Sequence, residues 1–424
     1  MDKPLTKNIH PGQEPLSLKE YEQTGGYQSV RKALSVTPKD IIDVVKASTL
    51  RGRGGAGFPT GQKWGFVPTG PSAPRPKYLI VNADEMEPGA FKDRFLLEGD
   101  PHQIVEGVIT SAIALEAEQA MIFLRWGYPL AETRLLRAIS EAYESGYLGR
   151  NILGSSFSIE LRIHTSAGRY ICGEETALIN ALEGKRATPR AKPPFPLVVG
   201  LWGKPTIVDN VETIANIPHI VNNGAEWFKG LSRSTDGGTK IYGVSGRVKR
   251  PGAWELPMGV TIRELLEEHA GGMMDGYQFR GLIPGGASTD FLVKEHLDVK
   301  MDFDSVSKAG SRMGTGTMII LDDRTCPVGF VLNLEQFFSR ESCGWCTPCR
   351  EGLPWIVNML DAIERGQGEM DDIGILEQQC RLLGVGNTFC ALAPGAVEPL
   401  QSALKYFRED FERHIYEKRC LWKD

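Results

Sequence analysis

The chain has 424 residues, 41% hydrophobic and 24% charged, the make-up of an ordinary globular protein long enough for two or three domains. Its 48 basic and 53 acidic residues give a formal net charge of -5, so nothing favours nucleic acid or an anionic membrane. No run approaches the roughly 18 apolar residues of a spanning helix, and the opening MDKPLTKNIHPGQEP has no apolar signal core.

The expectation is a chain neither exported nor inserted, with any membrane attachment made through partners. Eight cysteines are too few for a disulfide scaffold and are expected to stay reduced.

In chain order, a polar start leads into TPKDIIDVVKASTL, a predicted helix with Thr37 as N-cap, Pro38 in the first turn and Ile41, Ile42, Val44 and Val45 on one stripe. A glycine-rich stretch, RGRGGAGFPTGQKWG (51–65), follows. KYLIVNADE (77–85) reads as a buried strand ending in acids. A long apolar helix is predicted over 101–119, then MIFLRW as a second buried strand. ETRLLRAISEAYESG reads as an amphipathic helix, SIELRIHTS as an alternating strand and CGEETALINALEG as another helix. This alternation predicts an α/β layer structure with a mostly parallel sheet.

Prolines and glycines break regular structure over TPRAKPPFPLVVGLWGKP (188–205). From about 236 to 330 the pattern is short strands (KIYGVSGRV), a turn at Lys249–Gly252 and one helix, TIRELLEEHAGG, a small α+β module. Beyond 331 everything reads helical. The last segment, REDFERHIYEKRCLWKD, has the charged pattern of a solvated helix. The boundaries expected are therefore 1–235, 236–330 and 331–424.

ESCGWCTPCREG (341–352) places Cys343, Cys346 and Cys349 at C-x2-C-x2-C. Short spacers let successive sulfurs converge on different irons of a cubane. The ferredoxin rhythm would put a fourth cysteine at 353, where Leu353 stands, so the fourth ligand must come from elsewhere. Cys380 lies on a helical apolar stripe with Ile373, Leu376 and Leu383 and reads as core. Cys390, in the glycine- and proline-bounded loop GNTFCALAPG, is the choice. The competing reading is zinc, whose structural sites more often use two separated ligand pairs. Cys172, Cys326 and Cys420 read as packing or surface residues.

Gly52, Gly54 and Gly57 match G-x-G-x-x-G, but the motif follows a helical pattern rather than a strand, which argues against a standard dinucleotide fingerprint. Glycine backbone can still approach a phosphate closely, with Arg51, Arg53 and Lys63 adding charge; the plain alternative is a structural loop. Asp84, Glu85 and Glu87 at a strand end suit hydroxyl recognition in the crevice of an open α/β sheet, or are a solvated acidic turn. Glu174 and Glu175 open a predicted helix, where acids are often simply dipole partners.

Taken together and in order, GRGGAGFPTGQKW, NADEMEPGAFKDR, GRYICGEETALINALEG, the KPPFP–GLWGKPT–NVET series and ESCGWCTPCREG closely resemble the NADH-binding flavoprotein of bacterial respiratory complex I, its 51-kDa-type F subunit. The resemblance implies FMN, NADH and one [4Fe–4S] cluster. It implies an α/β Rossmann-like flavin domain, a small α+β β-grasp module and a C-terminal all-α helical bundle holding the cluster.

By resemblance the loop of Gly52, Arg53, Gly54, Gly55 and Gly57, with Lys63, cradles the FMN phosphate and lines the NADH site. Asn82, Asp84, Glu85, Glu174, Asn210 and Thr213 contact the flavin, and Tyr170 and Gly173 belong to the same cofactor site. Phe58, Phe66 and Phe195 stack the adenine, with Glu87 and Glu175 near the rest of the nucleotide. Cys343, Cys346, Cys349 and Cys390 ligate the cluster.

The implied reaction is hydride transfer from NADH to FMN, then single-electron transfer to the cluster, with no general acid or base. The implied partners are a thioredoxin-like [2Fe–2S] subunit and a large iron–sulfur subunit. The implied location is cytoplasmic, peripheral on the inner membrane through those partners. A diaphorase subunit of an NAD-reducing hydrogenase or NAD-linked formate dehydrogenase is the alternative. Two departures from the family pattern stand out: Arg125-Trp126-Gly127-Tyr128 in place of Arg-Gly-Glu-Tyr, and Asp209 in place of Asn. The second is expected to set a carboxylate near the flavin.

Overall fold

Helices α1 (Leu18–Gln23) and α2 (Gln28–Leu34) precede α3 (Pro38–Ala47), whose start is set by a reciprocal cap: Thr37 accepts from the Asp40 N–H, and Asp40 accepts from the Thr37 N–H at 2.9 Å. In this computed structural model, which describes residues 2–422, the chain divides into two units. The first comprises Met1–Met86, Phe91–Ile241 and Glu255–Gly259; the second comprises Glu87–Ala90, Tyr242–Trp254 and Val260–Asp424. No helix among the described residues is long and apolar enough to cross a membrane.

In the first unit α4 (Thr60–Trp64) follows the glycine loop, then β1 (Tyr78–Ala83), α5 (Lys92–Gly99), α6 (Pro101–Leu115), β2 (Gln119–Leu124), α7 (Pro129–Glu144), β3 (Glu160–Thr165) and α8 (Glu175–Leu182). β4 (Thr206–Asn210), α9 (Val211–Asn223) and α10 (Ala225–Gly230) complete it. The strands form one sheet in the order β3-β2-β1-β4, all neighbours parallel. The mostly parallel α/β layer expected from the alternation is therefore present.

All fifteen residues of α6 are buried, as a helix apolar on every side requires. It crosses α9 at Gly107, where a Cβ would come within 2.4 Å of the Ile214 carbonyl oxygen. The predicted end of α6 at 119 is too late, because Glu116 takes a left-handed conformation and stops the helix at Leu115. β4 and α9 were not anticipated beyond the proline-rich break.

The other sheet has the order β6-β5-β8-β7, from β5 (Thr239–Ser245), β6 (Gly252–Pro257), β7 (Phe279–Ile283) and β8 (Thr317–Asp322). β8 runs parallel to β5 and antiparallel to β7. The segment predicted as a helix over 261–272 is helical over 262–269. After α11 (Phe303–Lys308) come α12 (Pro327–Glu341), α13 (Thr347–Glu364), α14 (Met370–Leu382), α15 (Leu392–Tyr406) and α16 (Arg408–Glu417). The solvated reading of the last helix is corrected here: Asp410, Phe411, His414 and Ile415 are buried, because α16 packs against α12, α13, α14 and α15.

Candidate functional site

Because the strands of the first sheet are parallel, their carboxyl ends lie on one edge, the place where open α/β sheets hold ligands. Asn82, near the end of β1, donates to the Gly173 carbonyl at 3.2 Å and accepts from the Asp84 N–H at 3.1 Å. Asp84 accepts from Ser166 just past β3 at 2.8 Å. Glu85 accepts from the N–H groups of Asp93 and Arg94 at 3.0 and 3.1 Å and from the Tyr128 hydroxyl at 3.1 Å. Burial, and next the Asp93 carboxylate, push Glu85 up to about 7.

Asn210, the last residue of β4, caps α9 by accepting from the Glu212 N–H at 3.0 Å and donates to Asp93 at 2.7 Å. The glycine loop is tied to the same spot. The Arg53 N–H donates to Thr213 at 2.8 Å, and a Cβ on Gly54 would lie 3.1 Å from Asn210 Cβ. Gly55 and Gly57 have φ of 122° and 66°, conformations that disfavour side chains. As expected, the loop follows a helix, not a strand.

The three cations of this region are engaged by protein. Arg51 pairs with Asp236 at 3.3 Å, and the buried Arg53 guanidinium donates to the carbonyls of Gly237 and Thr239 at 2.9 and 3.1 Å. Lys63 pairs with Asp209 at 3.2 Å, and Asp209 also accepts from Trp64 Nε1 at 2.8 Å. The Asp209 carboxylate is thus held by Lys63 and Trp64. Trp126 lies over Gly168, where a Cβ would be 2.0 Å from its indole nitrogen.

Glu174 caps α8 through the N–H groups of Thr176 and Ala177 at 2.9 and 2.8 Å, while Glu175 pairs with Lys192 at 2.6 Å. Tyr170 and Gly173 bound a short turn ahead of α8, and among the described residues nothing lies within 4 Å of a Cβ built on Gly173. Phe58, Phe66 and Phe195 are 49%, 57% and 55% exposed, leaving aromatic faces open to a planar ligand. Glu87 belongs to the second unit, where it accepts from the Ser288 N–H at 2.7 Å.

Amides and carboxylates at one sheet edge, a glycine loop and open aromatic rings are a donor and acceptor set that fits a flavin mononucleotide and a nicotinamide nucleotide. Lys92, Asp93, Tyr128 and Ser166 hold this edge; of these only Tyr128 was singled out from the sequence, and only within the Arg125–Tyr128 departure. Lys92 and Asp93 nevertheless fall inside NADEMEPGAFKDR, which was.

In the second unit Cys346 directly precedes α13, with Cys343 in the loop before it and Cys349 in its first turn. Cys349 lies 3.2 Å from the Ser342 hydroxyl. Burial raises its thiol to about 11, Ser342 opposes the rise, and Cys346 and Cys343 add to it. Cys390 lies in the loop between α14 and α15. The rings of Trp345 and Phe389, neighbours of Cys346 and Cys390, meet edge-on with centroids 6.2 Å apart. Cys380 is buried on α14. Thiolate donors gathered at a helix start fit an iron–sulfur cluster. Cys172, Cys326 and Cys420 are all buried, Cys172 in a core with Tyr78, Ile80 and Leu178.

Residues 45–219 match the Nuo51 FMN-binding domain, 241–291 the SLBB domain and 329–414 the NADH-ubiquinone oxidoreductase-F iron-sulfur binding region. A flavin domain and an iron–sulfur region on one chain define an NADH-oxidising flavoprotein that uses FMN and a [4Fe–4S] cluster.

The NADH-quinone oxidoreductase F subunits of Salmonella typhimurium and Escherichia coli are each 58% identical over 97% of this chain and 93% of theirs. The corresponding F subunit of Streptomyces coelicolor is 47% identical over 96% of this chain and 90% of its own. The crystal structure of an NAD+-reducing [NiFe]-hydrogenase in the H2-reduced state superposes with a TM-score of 0.81 at 33% identity, covering 95% of this chain and 67% of that one. The chain belongs to the family of NADH-quinone oxidoreductase F subunits. It is an NADH dehydrogenase that takes electrons from NADH into the quinone-reducing chain.

Proposed function

We propose that Asn82, Asp84, Glu85, Glu174, Asn210 and Thr213 hold the FMN, and that the loop of Gly52, Arg53, Gly54, Gly55 and Gly57, with Lys63, receives its phosphate. FMN, when bound, takes two electrons as hydride and releases them one at a time, as the [4Fe–4S] cluster requires. The work of the chain is to orient and to exclude water. Phe58, Phe66 and Phe195 stack the nucleotide, Tyr170 and Gly173 border it, and Glu87 and Glu175 recognise its remaining polar groups. Cys343, Cys346, Cys349 and Cys390 hold the cluster.

The observation that carries this reading is the shared edge at the carboxyl ends of β1 and β4. There Asn210 and the glycine loop meet, with Gly54 too close to Asn210 for a side chain without adjustment. The module reading follows the same logic: a Rossmann-like flavin domain over 1–235, a β-grasp module over 236–330 and a helical cluster domain over 331–424. A thioredoxin-like [2Fe–2S] subunit and a larger iron–sulfur subunit are the expected partners, with the chain cytoplasmic and peripheral on the inner membrane through them.

Relatives at 58% identity matched over 93% of their length favour this reading over a hydrogenase diaphorase at 33% and 67%. Anaerobic NADH titration with optical and EPR detection tests it. Bleaching of a flavin band followed by a reduced [4Fe–4S] signal is expected. A flavin that does not bleach would sink the assignment.

A further inference from the structure

The C-terminal unit contains a second convergence of metal-binding side chains, away from the cluster cysteines in sequence and separate in its residues. Cys326, Glu364, His414 and Cys420 are all buried, and their potential ligand atoms lie within 4.8 Å of one another. Cys326 Sγ is 3.2 Å from Glu364 Oε2 and 3.3 Å from His414 Nε2, and His414 Nε2 is 3.4 Å from Glu364 Oε2. For metal–ligand bonds of about 2.0–2.3 Å, the edges of a tetrahedron are about 3.3–3.8 Å. The observed spacings need little adjustment to reach it.

Each ligand is placed by a different element. Cys326 caps α12 and accepts from the Gly329 N–H at 3.2 Å, so the positive end of the helix faces its sulfur. Glu364 is the last residue of α13, and His414 lies on α16. Cys420 is brought back after Lys418 takes a left-handed turn (φ 56°). Only a glycine at 366 permits this approach, since a Cβ there would fall 1.9 Å from the Lys418 carbonyl carbon. Trp422 then stacks on His414 with ring centroids 5.7 Å apart.

The histidine is oriented as a ligand. Its Nδ1 lies 2.6 Å from the Asp410 carbonyl oxygen, which can only accept, so Nδ1 carries the proton. In the neutral ring Nε2 then presents a lone pair toward Cys326 and Glu364, the arrangement that carbonyl partners impose on metal-bound imidazoles. The Cys326 thiol has one proton and two acceptors within 3.3 Å. A cation would satisfy the sulfur, the imidazole and the carboxylate together.

We propose that Cys326, Glu364, His414 and Cys420 bind a structural zinc ion that staples α16 and the C-terminal segment to the start of α12 and the end of α13. Four protein ligands in a buried site leave no open coordination position, which assigns the ion a structural role. On binding, the two thiols lose their protons to solvent as the sulfur–metal bonds form, so zinc uptake releases protons.

Metal analysis and zinc-edge X-ray absorption of the intact holoprotein, purified anaerobically without chelator and replenished with zinc, test the site. About one zinc per chain is expected beyond the cluster iron, in a shell of two sulfurs at about 2.3 Å and two nitrogen or oxygen atoms at about 2.0–2.2 Å. The Cys326→Ser/Cys420→Ser double variant should lose the zinc and melt at lower temperature, yet keep its iron and FMN. If that variant does not fold, the wild-type absorption shell decides alone. A shell of three or four sulfurs would place the zinc at the cluster cysteines and overturn the proposal. So would a Cys326–Cys420 disulfide found by mass spectrometry, or no zinc at all.

Discussion

Glu212 accepts a hydrogen bond from Lys240 at 2.9 Å, and neither side chain reaches solvent. Lys92 lies 2.8 Å from the same carboxylate and 2.7 Å from Asp93, so two cations and two anions share one interior site. Asn210, the residue that meets the glycine loop, joins this network by donating to Asp93 at 2.7 Å and accepting from Lys92 at 3.3 Å. The network's charges are costly to bury and more costly to unpair.

Glu212→Gln is therefore expected to destabilise the protein by about 3–5 kcal/mol: Lys92 would lose a carboxylate partner, and Lys240, which burial already lowers to about 7 against the pull of Glu212, would give up its proton. The pH dependence is specific. Burial alone would raise Glu212, but Lys240 and then Lys92 hold it at about 2, below its ordinary 4.5. A depressed carboxylate contributes its full stability above 4.5 and loses it as pH falls through about 2. Melting temperatures from pH 7 to 2 should fall across that window in the wild type and fall less in the variant.

Glu335 on α12 has the opposite sign. It is fully buried, neither carboxylate oxygen has a hydrogen-bond partner among the described residues, and burial raises it well above the ordinary range. The folded state holds the proton, so stability is greatest below about 4.5 and declines as pH rises. Glu335→Met should stabilise the protein by about 1–3 kcal/mol at pH 8, with a smaller gain at pH 5. Calorimetry at the two pH values checks this, and a gain independent of pH would count against it.

Nucleotide choice is expected to turn on Glu175. NADPH adds a phosphate to the adenosine ribose, and an unscreened charge pair at about 4 Å is worth on the order of 4 kcal/mol at a dielectric near 20. Lys192, 2.6 Å from Glu175, offsets part of that repulsion. Glu175→Gln removes the anion and leaves Lys192 facing Glu174 alone. NADPH kcat/KM should rise about tenfold, or about 1.4 kcal/mol, with NADH little changed. An unchanged ratio between the two nucleotides would rule out this role.

Cys390→Ser and Cys346→Ser should each abolish the [4Fe–4S] EPR signal while part of the NADH–ferricyanide activity survives. A small oxidant can take electrons without the cluster. Cys380→Ser, buried on α14, should cost about 1–3 kcal/mol of stability and no iron. Iron analysis of the three variants separates ligand from core; normal iron in Cys390→Ser would overturn the ligand set.

Local chemistry was enough for part of this. The capping of α3 by Thr37, the alternation of strand and helix and the C-x2-C-x2-C spacing depend on near neighbours in the chain, and all were legible in the residues. Five ordered motifs were specific enough to point to the family. What pairing and packing decide was not. β4 and α9 lie past a proline-rich break, and β4 takes its place only by pairing with β1, more than a hundred residues earlier. Asp209 replaces the family's Asn, and only packing reveals that Lys63 and Trp64 hold its carboxylate. The last helix had a charged, solvated pattern, yet His414 and Cys420 are buried with Cys326 and Glu364. Side chains separated by tens of residues meet only when helices pack, and no spacing along the chain records that meeting.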